Sequence, residues 1–428
     1  MDVSALTARA AGGDAEAMSQ HPDQVIVVGA GIVGLSTAWF LQQRGVEVTV
    51  VERDAVAAGS SWGNAGWLAP ALTMPLPDPA ILSTGVRAAL SPSSPVYVPF
   101  AVDPRLWRFL AGFLRHCTPR RWRSAMSVFN EANAQALAAY DDVPGAPTKS
   151  AEPFLAAFDS AQDRQVLLDE FAHAGGTVDY ELLDADAVHR LEPLLSREVT
   201  HGVRIHHQRF INPGEYVGAL ADAVIAAGGS IRTGADVQRI VDTGNGAEVR
   251  LASGESLRAD RIVIANGAWM SDLARPFGVK AVVQAGRGYS FTVRPWRVPS
   301  GPVYFPAQRV ACTPLGDAAA GLRVAGMMEF RSPDAPLDPR RIDAIVAAAG
   351  RMFEGVDWSS RTSEWVGSRP CTADGLPLVG ATSSPRVFVA GGHGMWGVAL
   401  GPLTGRLLAE QITTGVVPGL LRAFDPLR

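Results

Sequence analysis

Beyond an N-terminus of small and polar residues, the first sustained apolar stretch is Val25-Ile26-Val27-Val28, a run of β-branched residues with no polar alternation. Such a run predicts a strand covered on both faces, as in a parallel sheet. It leads into Gly29-Ala30-Gly31-Ile32-Val33-Gly34, after which Leu35, Ala38, Trp39 and Leu41 recur at helical spacing until Arg44-Gly45. Val46 to Val51 then reads as a second buried strand ending at Glu52. Strand, helix and strand compose a βαβ unit, which points to the α/β class. Residues 1–23, rich in Ala, Gly, Ser and Asp, carry no such pattern and read as a flexible leader.

Further along the pattern changes twice. A Pro-rich connection occupies 75–104, and residues 105–139 and 161–174 have helical spacing. From Phe210 to Val237 a loop, a helix and a strand are expected, closed by a hairpin at Thr243-Gly244-Asn245-Gly246. Arg261 to Ala265 is another buried strand ending at Asn266-Gly267. Between Ala281 and Phe330, extended segments separated by turns lack the βαβ rhythm and predict an antiparallel sheet in a second domain. A helix follows near 339–353, then a strand at Val387-Phe388-Val389-Ala390 and a last helix near 401–413. No internal repeat is visible.

The length, 428 residues, suits two or three domains. Hydrophobic residues make up 47% and charged residues 19%, which excludes a disordered or fibrous chain. A formal net charge of −4 supplies no basic field, so nucleic acid is not an expected partner. With Lys149 and Lys280 the only lysines and no G-K-[ST] run, Schiff-base chemistry and a P-loop have almost no candidates. Cys117, Cys312 and Cys371 are far apart, so neither a disulfide framework nor a thiolate metal site is expected, and a reducing cytoplasm fits. The adjacent pair His206-His207 is a poor metal site, because neighbours on a strand point to opposite faces. No metal is expected.

Gly29-x-Gly31-x-x-Gly34 follows a strand, opens a helix and is followed by an acidic residue at the end of the next strand. Gly29 permits the tight turn, Gly31 lets a pyrophosphate approach the helix N-terminus, and Gly34 allows close helix–strand packing. Glu52 suits ribose hydroxyls and disfavours a 2′-phosphate, so NADP is the least suitable dinucleotide; Arg53 either lies near the adenosine or is solvated.

The choice between NAD and FAD is informed by a resemblance. The run from Val25 to Glu52, followed by Ser60-Ser61-Trp62-Gly63-Asn64-Ala65-Gly66, resembles the flavoenzymes of the D-amino-acid oxidase, glycine oxidase and sarcosine oxidase superfamily. Within it, Asn64-Ala65-Gly66 looks most like D-amino-acid dehydrogenase. Phe210-Ile211-Asn212-Pro213, the RIVIANGAW run ending at Trp269, Gly288-Tyr289-Ser290, Gly367 to Gly380 (GSRPCTADGLPLVG) and Gly391 to Gly401 (GGHGMWGVALG) fall in the order that superfamily uses.

The resemblance implies a Rossmann-like FAD domain assembled from 24–95, 200–275 and 361–428, with an α+β, antiparallel-sheet substrate domain from 96–199 and 276–360. It implies that Ser60, Ser61, Asn64, Ala65 and Gly66 lie along the pyrophosphate and flavin, that Val237 offers its backbone to adenine or is a core valine, and that Gly267 ends a strand at the cofactor. It also implies that Arg369 clamps a substrate carboxylate, for which a guanidinium fork is suited. Tyr289 and Tyr304 either cover that carboxylate or belong to the core.

Gly392-His393-Gly394-Met395-Trp396-Gly397 opens a helix, and its free N–H groups suit the negative charge of a reduced flavin. His393 is a candidate base, although a structural role is favoured. The cysteine that links flavin covalently in some relatives falls at the position of Arg369, so the FAD is expected to be non-covalent. The expected reaction is oxidation of a small amino acid, in the first place a D-amino acid, by hydride transfer to flavin N5, giving a 2-oxo acid and ammonia. Secondary-amine oxidation and a non-catalytic flavin subunit are the alternatives.

The expected electron acceptor is a quinone or dioxygen. Arg105 to Arg123 is amphipathic, with Leu106, Phe109, Leu110, Phe113 and Leu114 on one face. It reads as a substrate-domain helix first, and second as an interfacial helix that would hold a cytoplasmic protein on the inner face of the cell membrane.

Overall fold

The computed structural model describes residues 21–81, 94–99, 102–143, 147–316 and 319–428. Of the leader, residues 1–20 lie outside the described residues, as does 82–93 of the Pro-rich connection.

Two large sheets organise the chain. The first has six strands in the order Ser230–Arg232, Glu47–Val51, Gln24–Val28, Arg261–Ile264, Val387–Gly391 and Leu378–Ala381. All neighbours are parallel except the last, which pairs antiparallel with Val387–Gly391. The unbroken apolar run of its central strand is explained by burial on both sides. Val25 and Val27 face Leu35 and Leu41 of the helix Ile32–Gln42 and Leu403 of the helix Gly397–Thr414. Ile26 and Val28 face Val249 and Leu251 of an antiparallel three-stranded sheet together with Met270. Burying one such side chain contributes about 1.5–3 kcal/mol.

The second sheet has nine strands. Eight run in the order Val356–Cys371, Gln284–Pro295, Leu322–Phe330, Val310–Pro314, Val303–Phe305, Phe154–Phe158, His201–Ile205 and Tyr180–Asp184; Val96–Tyr97 adds to Leu322–Phe330. Its strands therefore come from segments on both sides of 206–283, with His201–Ile205 running past residue 199 and Val356–Cys371 past residue 360. Paired residues on neighbouring strands share a face. Phe291, Val293, Val324 and Cys312 are packed beneath Ile342 and Ile345 of the helix Pro339–Gly350. The opposite face carries Ser290, paired with Ala325 and Trp365, and Arg323, paired with Thr292 and Thr313.

That second face receives the loop 60–66, which follows the strand Glu47–Val51 of the six-stranded sheet. Ser290 Oγ donates to the Gly63 carbonyl at 2.8 Å, Thr313 Oγ1 to the Ala65 carbonyl at 2.7 Å, and Arg323 Nη1 to the Trp62 carbonyl at 2.8 Å. Three neighbouring strands thus pin one loop.

The amphipathic stretch forms two helices, Pro104–His116 and Pro119–Asp141. Asp103 caps the first, accepting from the backbone N–H of Arg105 at 2.8 Å. Leu106, Phe109 and Phe113 are buried against Met328, Phe330 and Cys371, so that part of the apolar stripe is covered by the protein's own sheet, Leu110 is half-buried beside it, and Leu114 is exposed. Among the described residues, no helix is long and apolar enough to cross a membrane.

Candidate cofactor cleft and active site

The C-terminal ends of the parallel strands open into a cleft of about 390 Å³, where an open α/β sheet offers its ligand site. Its floor is the turn Gly29–Gly31. Gly29 has φ +113, a conformation only glycine adopts easily, and a Cβ there would run into the backbone of Ala265. A Cβ on Gly34 would collide with the Gly29 carbonyl, so Gly34, which does not line the cleft, sets how closely helix and strand approach. Gly31, Ile32 and Val33 do line it, at the helix N-terminus. The Glu52 carboxylate accepts from the N–H groups of Ala30 at 2.8 Å and Asp54 at 2.9 Å, which fixes the turn and leaves lone pairs for a ligand.

Farther along, Arg53 lies over the Trp269 ring at 4.5 Å from its centroid and forms a wall with Val237 and Gln238. Ser60, Ser61 and Asn64 line the middle. Ser61 Oγ accepts from the Ile32 N–H at 3.1 Å, and Asn64 Oδ1 accepts from the Gly66 N–H at 2.8 Å. Ala65 and Gly66 do not line the cleft; Gly66, at φ +79, lets the loop cross Ile211, whose N–H donates to the Gly66 carbonyl at 2.9 Å. Gly267, His393, Gly394, Met395, Gly397 and Val398 complete the cleft, whereas Gly392 lies behind it against Thr372.

Asn266 Oδ1 and His393 Nδ1, both buried at the cleft, have no hydrogen-bond partner among the described residues. With the glycine turn, the helix N-terminus and Glu52, these suit a dinucleotide. His393 is 1% exposed, its Nε2 lies 2.8 Å from Thr404 Oγ1, and burial pulls its pKa down to about 4. The ring is neutral at physiological pH.

Arg369 reaches the same cleft from the nine-stranded sheet. Its Nη1 donates to the Met327 carbonyl at 2.9 Å, and its guanidinium rests on Gly288, where a Cβ would occupy the same space. No carboxylate pairs with it among the described residues, and burial lowers its pKa. Tyr304 is on the same sheet face, through its pairing with Ala311, and packs edge-on to Trp67 at 5.2 Å between centroids. Tyr289 is on the other face: its hydroxyl donates to Glu329 at 2.5 Å, beside the buried Arg287, and it is 1% exposed. It does not line the cleft. Cys371 does not line it either, and burial pushes its thiol up to about 12.

Sequence reasoning passed over several lining residues, among them Ala235, Asp236, Asp272 and Leu273. It also passed over Arg323 and Thr313, which hold the loop 60–66. Asp236 and Asp272 carry no signal beyond being charged residues near strand ends; Arg323 sits in an apolar strand, where a lone arginine is a visible anomaly.

Residues 24–411 match the family described as "DAO: FAD dependent oxidoreductase". Among solved structures, glycine oxidase from Geobacillus kaustophilus is similar with TM-score 0.69 and 21% identity, covering 96% of this chain and 99% of that one. Iminodiacetate oxidase from Chelativorans sp. BNC1 gives 0.65 and 19%, covering 94% and 98%. L-proline dehydrogenase from P. horikoshii gives 0.65 and 17%, covering 96% and 98%.

Proposed function

The chain belongs to the FAD-dependent oxidoreductase family, and on that premise we propose that it oxidises the amine of a small amino acid whose carboxylate is held by Arg369. The observation that carries the reading is a cleft-lining guanidinium with no carboxylate partner among the described residues. A half-buried guanidinium with no carboxylate to answer it favours an anionic ligand. The solved structures with this fold include enzymes named for glycine, iminodiacetate and L-proline, all amines that carry a carboxylate.

FAD held by the turn Gly29–Gly31, Glu52 and Ser61 would supply an acceptor for the hydride that leaves Cα as the substrate's C–N single bond becomes a double bond, the amine proton passing to water. The chain's own contribution is positioning. Arg369 fixes the carboxylate and thereby orients Cα toward the cofactor. The first amides of the helix Gly397–Thr414, with Gly397 and Val398 at the cleft, favour negative charge there. His393, neutral and bonded to Thr404, holds the end of that helix rather than moving a proton. Water then hydrolyses the released imine to a 2-oxo acid and ammonia. FAD is held without a covalent bond, because the thiol of Cys371 is outside the cleft and stays protonated. The Asn64-Ala65-Gly66 element favours a D-amino acid as donor and a quinone as acceptor.

The deciding experiment is anaerobic bleaching of the flavin across D- and L-amino acids, N-methyl amines and amines without a carboxylate, in wild type and Arg369→Ala. Losing one partner of a desolvated charge pair costs ~2–5 kcal/mol. At ~1.4 kcal/mol per tenfold, that is roughly a thirty- to several-thousand-fold drop in kcat/KM for the best amino acid, with little change for amines lacking a carboxylate. Near-normal kcat/KM in Arg369→Ala, at full flavin content, would place the clamp elsewhere.

A further inference from the structure

A second cavity, of about 480 Å³, shares no lining residue with the cofactor cleft. It opens between the loop 60–66, the nine-stranded sheet and the start of the helix Pro213–Ala226, and Trp62, Gly214, Glu215, Thr292, Arg294 and Arg323 are among its walls. Arg323 is 4% exposed. It lies over the Trp62 indole, 4.8 Å from the centroid, and donates Nη1 to the Trp62 carbonyl, while Nε has no partner among the described residues. No carboxylate pairs with it among the described residues, and burial with nothing to offset it pulls its pKa down to about 10. Desolvating a cation at this depth is unfavourable by several kcal/mol unless an anion answers it.

Two further features point the same way. Arg294, exposed at the same cavity, also has no carboxylate partner among the described residues. The helix Pro213–Ala226 begins at the cavity wall with Asn212 as N-cap, and the Asn212 side chain makes no capping bond. Gly214 and Glu215, in its first turn, line the cavity, and the amides of a helix's first turn have no intrahelical acceptor. Glu215 is the one acidic residue among the described lining residues, and it is exposed.

We propose that this cavity binds a small oxyanion, a phosphate or a carboxylate, between Arg323, Arg294 and the first amides of the helix Pro213–Ala226, with Trp62 as its apolar wall. Because Trp62 belongs to the loop whose Ser60, Ser61 and Asn64 line the cofactor cleft, an occupied cavity changes the surroundings of the flavin. The site is separate from the amine site and does not depend on the identity of the amine.

The test uses the FAD-loaded protein without amine, at constant ionic strength, titrated by calorimetry with sodium phosphate and separately with sodium malonate. Saturable one-to-one binding of at least one anion is expected, accompanied by a shift of the flavin absorbance bands; the tighter arm identifies phosphate or carboxylate as the favoured group. Arg323→Gln should weaken binding by about tenfold or more, the loss of a charge-assisted hydrogen bond. Since Arg323 also supports Trp62, Arg294→Ala is the independent variant: weakening by about threefold or more is expected at an unchanged melting temperature. Glu215→Gln should tighten binding. The proposal is overturned if neither anion saturates, or if Arg323→Gln and Arg294→Ala both bind as the wild type does. None of these readouts requires turnover, so the proposed amine oxidation can fail while this site stands, and the reverse.

Discussion

Replacing Gly31 by alanine separates cofactor binding from folding. Gly31 has φ −80 and ψ 176, a conformation open to any residue, and an added Cβ would meet only Ser61 Oγ, at 3.3 Å. That oxygen caps the Ile32 N–H, so a shift of a few tenths of an ångström weakens one cap and costs the apoprotein no more than about 1 kcal/mol. Gly31 lines the cleft, and the proposed contact of the helix N-terminus with the pyrophosphate would be made there. Loss of two charge-assisted hydrogen bonds at about 1.5–3 kcal/mol each amounts to about 3–6 kcal/mol, or roughly a hundred- to ten-thousand-fold in the Kd for FAD. The assay is the flavin-to-protein absorbance ratio after purification, followed by titration of the apoprotein with FAD. Gly34→Ala is the control: its Cβ collides with the Gly29 carbonyl, so its apoprotein should melt well below the wild-type apoprotein, whereas that of Gly31→Ala should not. A Gly31→Ala protein that binds FAD within threefold of wild type would refute the assignment of this turn to the pyrophosphate.

Two other expectations follow from the geometry. Gly288→Ala places a methyl where the Arg369 guanidinium lies; since a side chain can move aside, folding and flavin content should persist while kcat/KM for the amino acid falls by about tenfold or more, and unchanged kinetics would mean that Arg369 acts from another position. His393 has a folded-state pKa of about 4 against about 6.5 unfolded, so the unfolded chain binds the extra proton and stability is lost as pH falls from about 6.5 to 4, by about 3 kcal/mol in all. Urea unfolding of the holoprotein at several pH values should show this slope in wild type and a shallower one in His393→Gln; equal slopes would disprove it.

What could be read from the chain is what is local in it. The turn, the helix and Glu52 lie within 24–52, and the constraints on Gly29 and Gly34 are imposed by the strand beside that βαβ unit or by the unit itself, while Gly31 meets Ser61 from the loop that follows. Hence Gly29, Gly31, Gly34 and Glu52 could be given distinct roles before any coordinates. Gly66 and Ala65, expected along the cofactor, answer instead to a remote constraint: Gly66 must cross Ile211, and the Ala65 carbonyl must meet Thr313. Both contacts bridge well over a hundred residues, and nothing in the loop itself announces them. The amphipathic helix shows the same limit. Its stripe at Leu106, Phe109 and Phe113 says that something apolar covers it, and only the fold says that Met328 and Phe330 do so.

The substrate side depends on strand parity, which a sequence does not fix when a bulge intervenes. Arg369 pairs with Gly286 and Trp365 with Ser290, so Gly286, Gly288 and Ser290 stand on the cofactor face and Tyr289 on the other. Against the neighbouring strand the register slips: Arg287 pairs with Glu329, but Tyr289 pairs with Gly326. The extra residue is accommodated around Met327, which takes φ +64, a left-handed conformation costly for a methionine. That turn is where the Met327 carbonyl accepts from Arg369. The bulge therefore helps to hold the one cation in the cleft that can meet a carboxylate from the sheet side, while Tyr289, one residue along from Gly288, is committed beneath the sheet to Glu329. An arginine read in the linear sequence as the carboxylate clamp and a tyrosine left open between that carboxylate and the core are separated by the thickness of a sheet, and the device that orients the arginine is a backbone distortion with no residue signature of its own.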